Sequence, residues 1–280
     1  MITVHEALCQ AQGIIDNTDA RMLLQHVLKL NLAHMIAHSE QELSVEQAQQ
    51  FAELLGRRRQ GEPVAYLTGE REFYSLDFEV TPAVLIPRPE TELLVDLALE
   101  RVPVNRAITI LDLGTGSGAI ALAIAKQRPL ARVVAVDISP EALIVARSNA
   151  MQLNVDNVRF MQVDWFNGLA GERFDLIVSN PPYVANGDSH LTQGDLRFEP
   201  SIALTDGGDG TRCLRSIIAS APAYLMPGGM IMVEHGYDQG FRCCQLLNEA
   251  GFHDVFSHPD LAGIMRVSGG VAYHFSLENE

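Results

Sequence analysis

Cysteine, tryptophan and positive charge are all scarce in this chain, and each scarcity excludes something. The four cysteines (Cys9, Cys213, Cys243 and Cys244) show no C-x-x-C spacing and no histidine pairing, which argues against a disulfide framework and a zinc site. They read as reduced thiols of a cytosolic protein, and no metal is expected. Lysine and arginine total 20 against 35 acids, for a formal net charge of −15. That charge opposes phosphate backbones, whose neutralisation by basic side chains supplies most non-specific nucleic-acid affinity. DNA is therefore disfavoured as a substrate. The one dense basic cluster, Gly56-Arg57-Arg58-Arg59, reads as the solvated end of a helix. No apolar run approaches the roughly 20 residues of a membrane span. Met1-Ile2-Thr3-Val4-His5-Glu6 lacks the basic start and apolar stretch of a secretory leader. No motif places any of the nine histidines. What remains is 47% hydrophobic and 20% charged over 280 residues, a globular composition long enough for one large domain or two smaller ones.

The tetrapeptide Asn180-Pro181-Pro182-Tyr183, just after the strand-like run Phe174–Ser179, carries the most information. Two consecutive prolines remove two backbone donors and fix two φ angles, so this turn is stiff and joins neither helix nor ladder. The Pro181 carbonyl is left free to face a ligand. Asn180 adds an amide that accepts and donates, and Tyr183 adds an aromatic wall. Such a set suits a planar –NH2 group held by its two hydrogens. Taken alone, the tetrapeptide reads equally well as a rigid loop without chemistry.

A second motif shifts that balance. The β-branched run Ile108–Leu113 enters Gly114-Thr115-Gly116-Ser117-Gly118, and an alanine-rich helix from Ala119 to Ala125 follows. This is the first βα turn of a doubly wound sheet, with glycines that let the backbone approach a ligand closely. The spacing is G-x-G-x-G, which differs from the dinucleotide fingerprint. Arg132–Asp137 reads as the next strand, ending in a carboxylate suited to a ribose diol. Val158–Trp165 reads as a third strand, ending in Asp164 and the single tryptophan. Glycines, an acid, Asp-Trp and Asn-Pro-Pro-Tyr thus follow four successive strands, at the carboxyl ends where open α/β sheets bind ligands.

The remaining segments set the domain plan. Residues 1–71 read as a small helical bundle, with Leu23, Leu24, Val27 and Leu28 at helical spacing. Ser44 and Gln47 form a capping box opening a helix through Phe51, Leu54 and Leu55. Residues 72–88 read as a β-hairpin linker, and 89–280 as the α/β domain, starting with a helix from Glu90 to Glu100. Later elements are a fifth strand, Gly229–Glu234, a helix from Tyr237 to Ala250, and an antiparallel pair, Phe252–Phe256 with Val271–Ser276. Pro87-Arg88-Pro89-Glu90-Thr91-Glu92 reads chiefly as a helix start, with proline in the first turn and acids favoured by the dipole.

Together these motifs resemble a class I S-adenosylmethionine-dependent methyltransferase acting on planar amino groups. Glu62-Pro63-Val64-Ala65-Tyr66-Leu67-Thr68-Gly69, Leu85–Glu92, Asn180–Val184, Phe198-Glu199-Pro200 and Asp206–Gly210 are similar to the PrmC/HemK family. That resemblance runs from about residue 15 to the carboxyl terminus. It implies a Rossmann-like, mostly parallel seven-stranded sheet with an antiparallel last strand, preceded by a small helical domain that recognises substrate. The implied cofactor is S-adenosyl-L-methionine, contacted by Gly114, Thr115, Gly116, Ser117, Gly118, Asp137, Asp164, Trp165 and Asn180. The implied reaction is methylation of the glutamine side-chain nitrogen (N5) in the GGQ motif of class 1 peptide chain release factors. Asn180, Pro181, Pro182 and Tyr183 would hold that amide, with Asn180, Pro181 and Tyr183 as the catalytic set. A cytoplasmic monomer, without direct nucleic-acid contact, is expected.

An amide nitrogen is a poor nucleophile, and no side chain deprotonates it at neutral pH in the ordinary way. Two acceptors, the Asn180 oxygen and the Pro181 carbonyl, can instead fix both N–H groups and aim the remaining lone pair at a methyl donor. No general base is assigned. Competing readings are a glutamine methyltransferase for a large-subunit ribosomal protein, an adenine-N6 DNA methyltransferase, and a silent binding module that keeps the fold.

Overall fold

A computed structural model describes residues 2–273, which divide into two compact units. The first comprises Met1–Glu70 with Gln193–Phe198, and the second Arg71–Thr192 with Glu199–Glu280. The sequence reading had placed residues 193–198 in the α/β domain.

The first unit holds helices α1 (Val4–Ala11), α2 (Asn17–Leu28), α3 (Leu32–Ala37), α4 (Val45–Arg59) and α5 (Val64–Thr68). Side-chain caps open four of them. Thr3 with Glu6 and Ser44 with Gln47 form reciprocal capping boxes, and Asp16 and Asn31 accept from first-turn N–H groups. Each such cap contributes about 1 kcal/mol. Ala7, Leu23, Leu24, Met35, Phe51, Leu55 and Leu67 close a separate core. Arg58 departs from the expected solvated helix end. It is held by Asp19 at 2.7 Å, Asp195 at 3.0 Å and the Glu62 carbonyl at 3.1 Å. Arg197 adds a bond to the Gln60 carbonyl at 2.7 Å. Arg58 and Arg197 thereby pin the turn Gly194–Phe198 to the end of α4.

The second unit begins with a hairpin of β1 (Glu70–Phe73) and β2 (Leu76–Glu79). Its two-residue turn, Tyr74-Ser75, has positive φ at both positions (53° and 58°) without any glycine, the backbone of a type I′ turn. The strained N–H groups are satisfied by Glu92 on Tyr74 (2.8 Å) and Glu72 on Ser75 (2.6 Å). The hairpin ends at Glu79, short of the expected 88, because Pro82 and Pro87 remove ladder donors. A 3-10 turn, Pro89–Thr91, then leads into α6 (Glu92–Arg101).

The main elements follow as β3 (Thr109–Leu113), α7 (Ala119–Gln127), β4 (Arg132–Asp137), α8 (Pro140–Gln152), β5 (Val158–Gln162) and β6 (Phe174–Ser179). After these come α9 (Ser201–Leu204), α10 (Arg212–Ser220), β7 (Leu225–Glu234), α11 (Gly240–Glu249), β8 (Phe252–Pro259) and β9 (Met265–Ala272). The sheet order is β5-β4-β3-β6-β7-β9-β8. Its first five members are parallel, and β9 runs antiparallel to both neighbours. Alternate strand residues feed two cores. Ile110, Val133, Ala135, Leu176 and Val178 pack with α6 and α7 on one face. Leu111, Leu113, Val134, Ile177 and Val233 pack with α10 and α11 on the other. Burial on both faces explains the unbroken apolar runs of these strands.

Several boundaries move from expectation. The third strand stops at Gln162, because Trp165 adopts φ +51°, which no strand accommodates. The helix expected from Tyr237 starts at Gly240. The closing hairpin turns at 260–264, where Asp260 accepts from the N–H groups of Ala262 (2.9 Å) and Ile264 (3.1 Å) and pairs with Arg266 (3.1 Å). Its second strand therefore begins at Met265, six residues before the expected Val271, and His274, Phe275 and Ser276 lie outside the described residues. No helix among the described residues is long and apolar enough to cross a membrane.

Candidate active site

The chain runs outward from β3 to β4 and β5, then returns to pair β6 on the other side of β3. This is a topological switch point, where the two connections diverge and leave a crevice at the strand carboxyl ends. Register fixes what meets there. Leu113 pairs with Ser179, and Ser179 with Val233, so Gly114, Asn180 and Glu234 leave three neighbouring strands side by side. A cleft of about 260 Å³ opens at this point.

The glycine loop is braced by β4. The Val136 carbonyl accepts from Gly114 N and Thr115 N, both at 2.9 Å. Asp137 Oδ2 accepts from Gly116 N at 2.8 Å, and its Oδ1 from Ser139 N at 2.9 Å. Burial nevertheless raises the Asp137 pKa, against the opposing hydrogen bonds from Ser139, Gly116 and Ile138. The carboxylate keeps acceptor capacity for a ligand hydroxyl. Gly116 (φ +55°) has nothing within 4 Å of where a Cβ would stand, so its backbone lies open. Gly118 (φ +84°) caps α7, where a Cβ would sit 2.9 Å from Leu122 Cδ1 and 3.3 Å from Ala146. Trp165, with its left-handed backbone, brings its ring against Gly114.

Gly114–Ser117, Asp137, Asp164, Trp165, Asn180 and Pro182 all line the cleft. Gly118 of the expected cofactor set is not among the lining residues and acts as the helix cap. Pro181 is buried and Tyr183 is turned away. The Tyr183 hydroxyl donates to Glu234 Oε1 at 3.2 Å and its carbonyl accepts from Gln239 Nε2 at 2.9 Å. Burial raises its pKa. The aromatic wall expected of Tyr183 is therefore a support beneath the loop. Asn180 Nδ2 donates to Thr91 Oγ1 at 3.2 Å. Among the described residues no hydrogen bond ends on Asn180 Oδ1 or on the Pro181 carbonyl.

Sequence reasoning missed several supporting residues. Asp112, at the end of β3, is fully buried, accepts from Thr115 Oγ1 at 2.6 Å, and is pushed up to about 7 by desolvation. Glu234, at the end of β7, is likewise buried and pushed up to about 7. Its Oε2 has no partner at hydrogen-bond distance among the described residues. Glu199 is buried, pairs with Arg88 and accepts from Ile86 N at 3.1 Å, while Arg88 lines the cleft. Asn149 on α8 joins β2 to the glycine loop through Glu79 (2.7 and 3.0 Å) and the Ser117 carbonyl (2.9 Å). A strand-end acid was a legible signal for Asp112 and Glu234. Thr91 and Glu199 stood in segments that carried only the family resemblance, with no role assigned to them, and Asn149 gave no signal.

The cleft thus combines an open glycine backbone, a carboxylate with spare acceptor capacity, an indole ring and several acids. That donor set fits a nucleoside carrying a sulfonium cation, which acidic and aromatic surroundings favour. No group of three or more His, Cys, Asp or Glu among the described residues is placed to hold a metal.

Comparison with known proteins agrees with this chemistry. Residues 105–252 match the model of a methyltransferase domain, and residues 5–69 match a PrmC N-terminal domain. A Burkholderia pseudomallei release factor glutamine methyltransferase is 50% identical over 263 residues, covering 91% of this chain and 92% of its own. The Escherichia coli protein of the same name is 46% identical over 271 residues, covering 96% and 98%. Among solved structures, a Pyrococcus furiosus methyltransferase has TM-score 0.55 at 20% identity, covering 79% of this chain and 99% of its own. A T. thermophilus 16S rRNA N2 G1207 methyltransferase in complex with AdoMet and guanosine has TM-score 0.54 at 21% identity, covering 72% and 49%. These two likenesses bear on the fold alone. The sequence matches over more than nine-tenths of the chain settle the family: this is a member of the release factor glutamine methyltransferases, enzymes that use S-adenosylmethionine as methyl donor.

Proposed function

We propose that the chain methylates the side-chain amide nitrogen (N5) of the GGQ glutamine in a class 1 peptide chain release factor. The observation that carries this reading is the register of β3 and β6, which sets the glycine loop beside Asn180. The glycine loop and one uncharged acceptor, Asn180, thereby line one cleft. In this reading Gly114–Ser117, Asp137, Asp164, Trp165 and Asn180 hold S-adenosylmethionine, which supplies an electrophilic methyl group on sulfur, while Gly118 caps the helix behind them. Asn180 Oδ1 and the Pro181 carbonyl each accept one hydrogen of the glutamine amide, with Pro182 beside them. Asn180 thus acts on both ligands, and Tyr183 acts by bracing the loop through Glu234 and Gln239. Orientation does most of the catalysis, with reacting atoms about 3–3.5 Å apart. The amide proton leaves late, to a carbonyl or water.

Because the amide is a small part of the substrate, recognition falls largely to other surfaces, and we assign part of it to the helical unit. The net charge of −15 favours a protein over a nucleic acid as substrate, and the reaction belongs in the cytoplasm. The test is incubation of the purified chain with S-adenosylmethionine and a folded class 1 release factor, followed by peptide mass mapping. One added methyl on the GGQ glutamine is expected. Methylation at another residue, or none, would overturn the reading.

A further inference from the structure

An asparagine presents either end of its side chain to a ligand, and methyl transfer to an amide needs the oxygen end. Left to itself, the Asn180 carboxamide could turn its –NH2 toward the cleft and confront the substrate N–H groups with another donor. The structure contains a device that prevents this. Thr91 sits at the N-cap of α6 yet makes no side-chain cap bond, where a threonine ordinarily accepts from the first turn. Its hydroxyl is buried, with the residue 4% exposed, and accepts from Asn180 Nδ2 at 3.2 Å. The loop that carries Asn180 is itself braced by the Tyr183 hydroxyl, which donates to Glu234 Oε1 at 3.2 Å.

We propose that Thr91 is a positioning residue: its hydroxyl accepts from the Asn180 –NH2 and so fixes Asn180 with its oxygen toward the substrate amide. The inference rests on the proposed glutamine methylation, since only an acceptor-seeking substrate needs this polarity. It also gives Pro87-Arg88-Pro89-Glu90-Thr91-Glu92 a task beyond starting a helix. Its last turn delivers the hydroxyl that sets Asn180. Thr91 lines the cleft but acts through Asn180.

The experiment compares wild type, Thr91→Val and Thr91→Ser on a folded class 1 release factor, with S-adenosylmethionine affinity measured by calorimetry and folding by thermal unfolding. Wild type must methylate the glutamine; if it does not, the functional reading itself fails and the variants are not needed. Given wild-type turnover, Thr91→Val, which keeps shape and loses the acceptor, should lower kcat about ten- to a hundredfold, as loss of a site residue's outer partner does. Cofactor affinity should stay within about twofold, because the glycine loop and Asp137 are untouched. Thr91→Ser, which restores the hydroxyl, should bring kcat back to within about threefold of wild type. Near-normal kcat in Thr91→Val would overturn the proposal. So would equal impairment of both variants, or a Thr91→Val defect that resides in cofactor affinity. Should Thr91→Val fail to fold, Thr91→Ser together with Thr91→Ala decides: a folded alanine variant with normal kcat overturns the proposal as well.

Discussion

In the proposed reaction Asn180 is the residue on which the chemistry would turn, because it offers an uncharged acceptor where a carboxylate would bring buried charge. Asn180→Ala should lower turnover by roughly 10²–10³, by analogy with removal of a preorganised donor at an oxyanion. Cofactor affinity should fall far less, and near-normal turnover would mean that the side chain only shapes the turn. Asp137 carries a different load. Its carboxylate braces Gly116 and Ser139 in addition to facing the cleft. Asp137→Ala should weaken S-adenosylmethionine binding by about 1–3 kcal/mol, the scale for hydrogen bonds to a charged group. Because two backbone N–H groups lose their acceptor, the unfolding midpoint should also drop, which a strand-end acid seen only in sequence would not suggest. Calorimetry showing unchanged affinity in a folded variant would remove Asp137 from the site.

At the scale of elements, the carboxyl ends of β3 and β7 bury Asp112 and Glu234, each pushed up to about 7 by desolvation. In the unfolded chain such acids titrate near 4. The stability that follows from keeping them neutral in the fold is complete below that value and is lost as pH rises through about 7. Glu234→Gln removes one of these titrations while keeping the shape. Its stability relative to wild type should therefore increase between pH 5 and pH 8, by on the order of 2–3 kcal/mol. Guanidinium midpoints at the two pH values measure it, and parallel behaviour of the two proteins would contradict the buried-acid assignment. What the sequence revealed at this scale was local. Ser44 and Gln47 are three residues apart, and the glycine loop is contiguous with its strand and helix, so both were legible. Thr91, Glu199 and Asn149 meet partners 89, 111 and 70 residues away, and only the tertiary packing brings them together. The Arg58 error has the same origin, since Asp195 lies 137 positions further on. Strand ends at Gln162 and Met265 were missed for a different reason: a left-handed Trp165 and an Asp260-capped turn leave no trace in hydrophobic pattern.

For the whole molecule, the proposed reaction asks more of recognition than one cleft supplies. The cleft sees an amide and a methyl group, which distinguish one glutamine poorly from another, so selectivity must come from a larger surface. A short peptide containing the glutamine should accordingly be a much poorer substrate than the folded release factor, read as kcat/KM on both; equal efficiency would make the helical unit merely structural. The family assignment points to one reaction, and competing acceptors can be presented together. The direct measurement is incubation of the purified chain with methyl-labelled S-adenosylmethionine and an extract lacking the endogenous activity, followed by mass mapping of every labelled species. Label confined to the GGQ glutamine of a class 1 release factor is the expected result. Label on a ribosomal protein or on DNA, with the release factor unmodified, would contradict it.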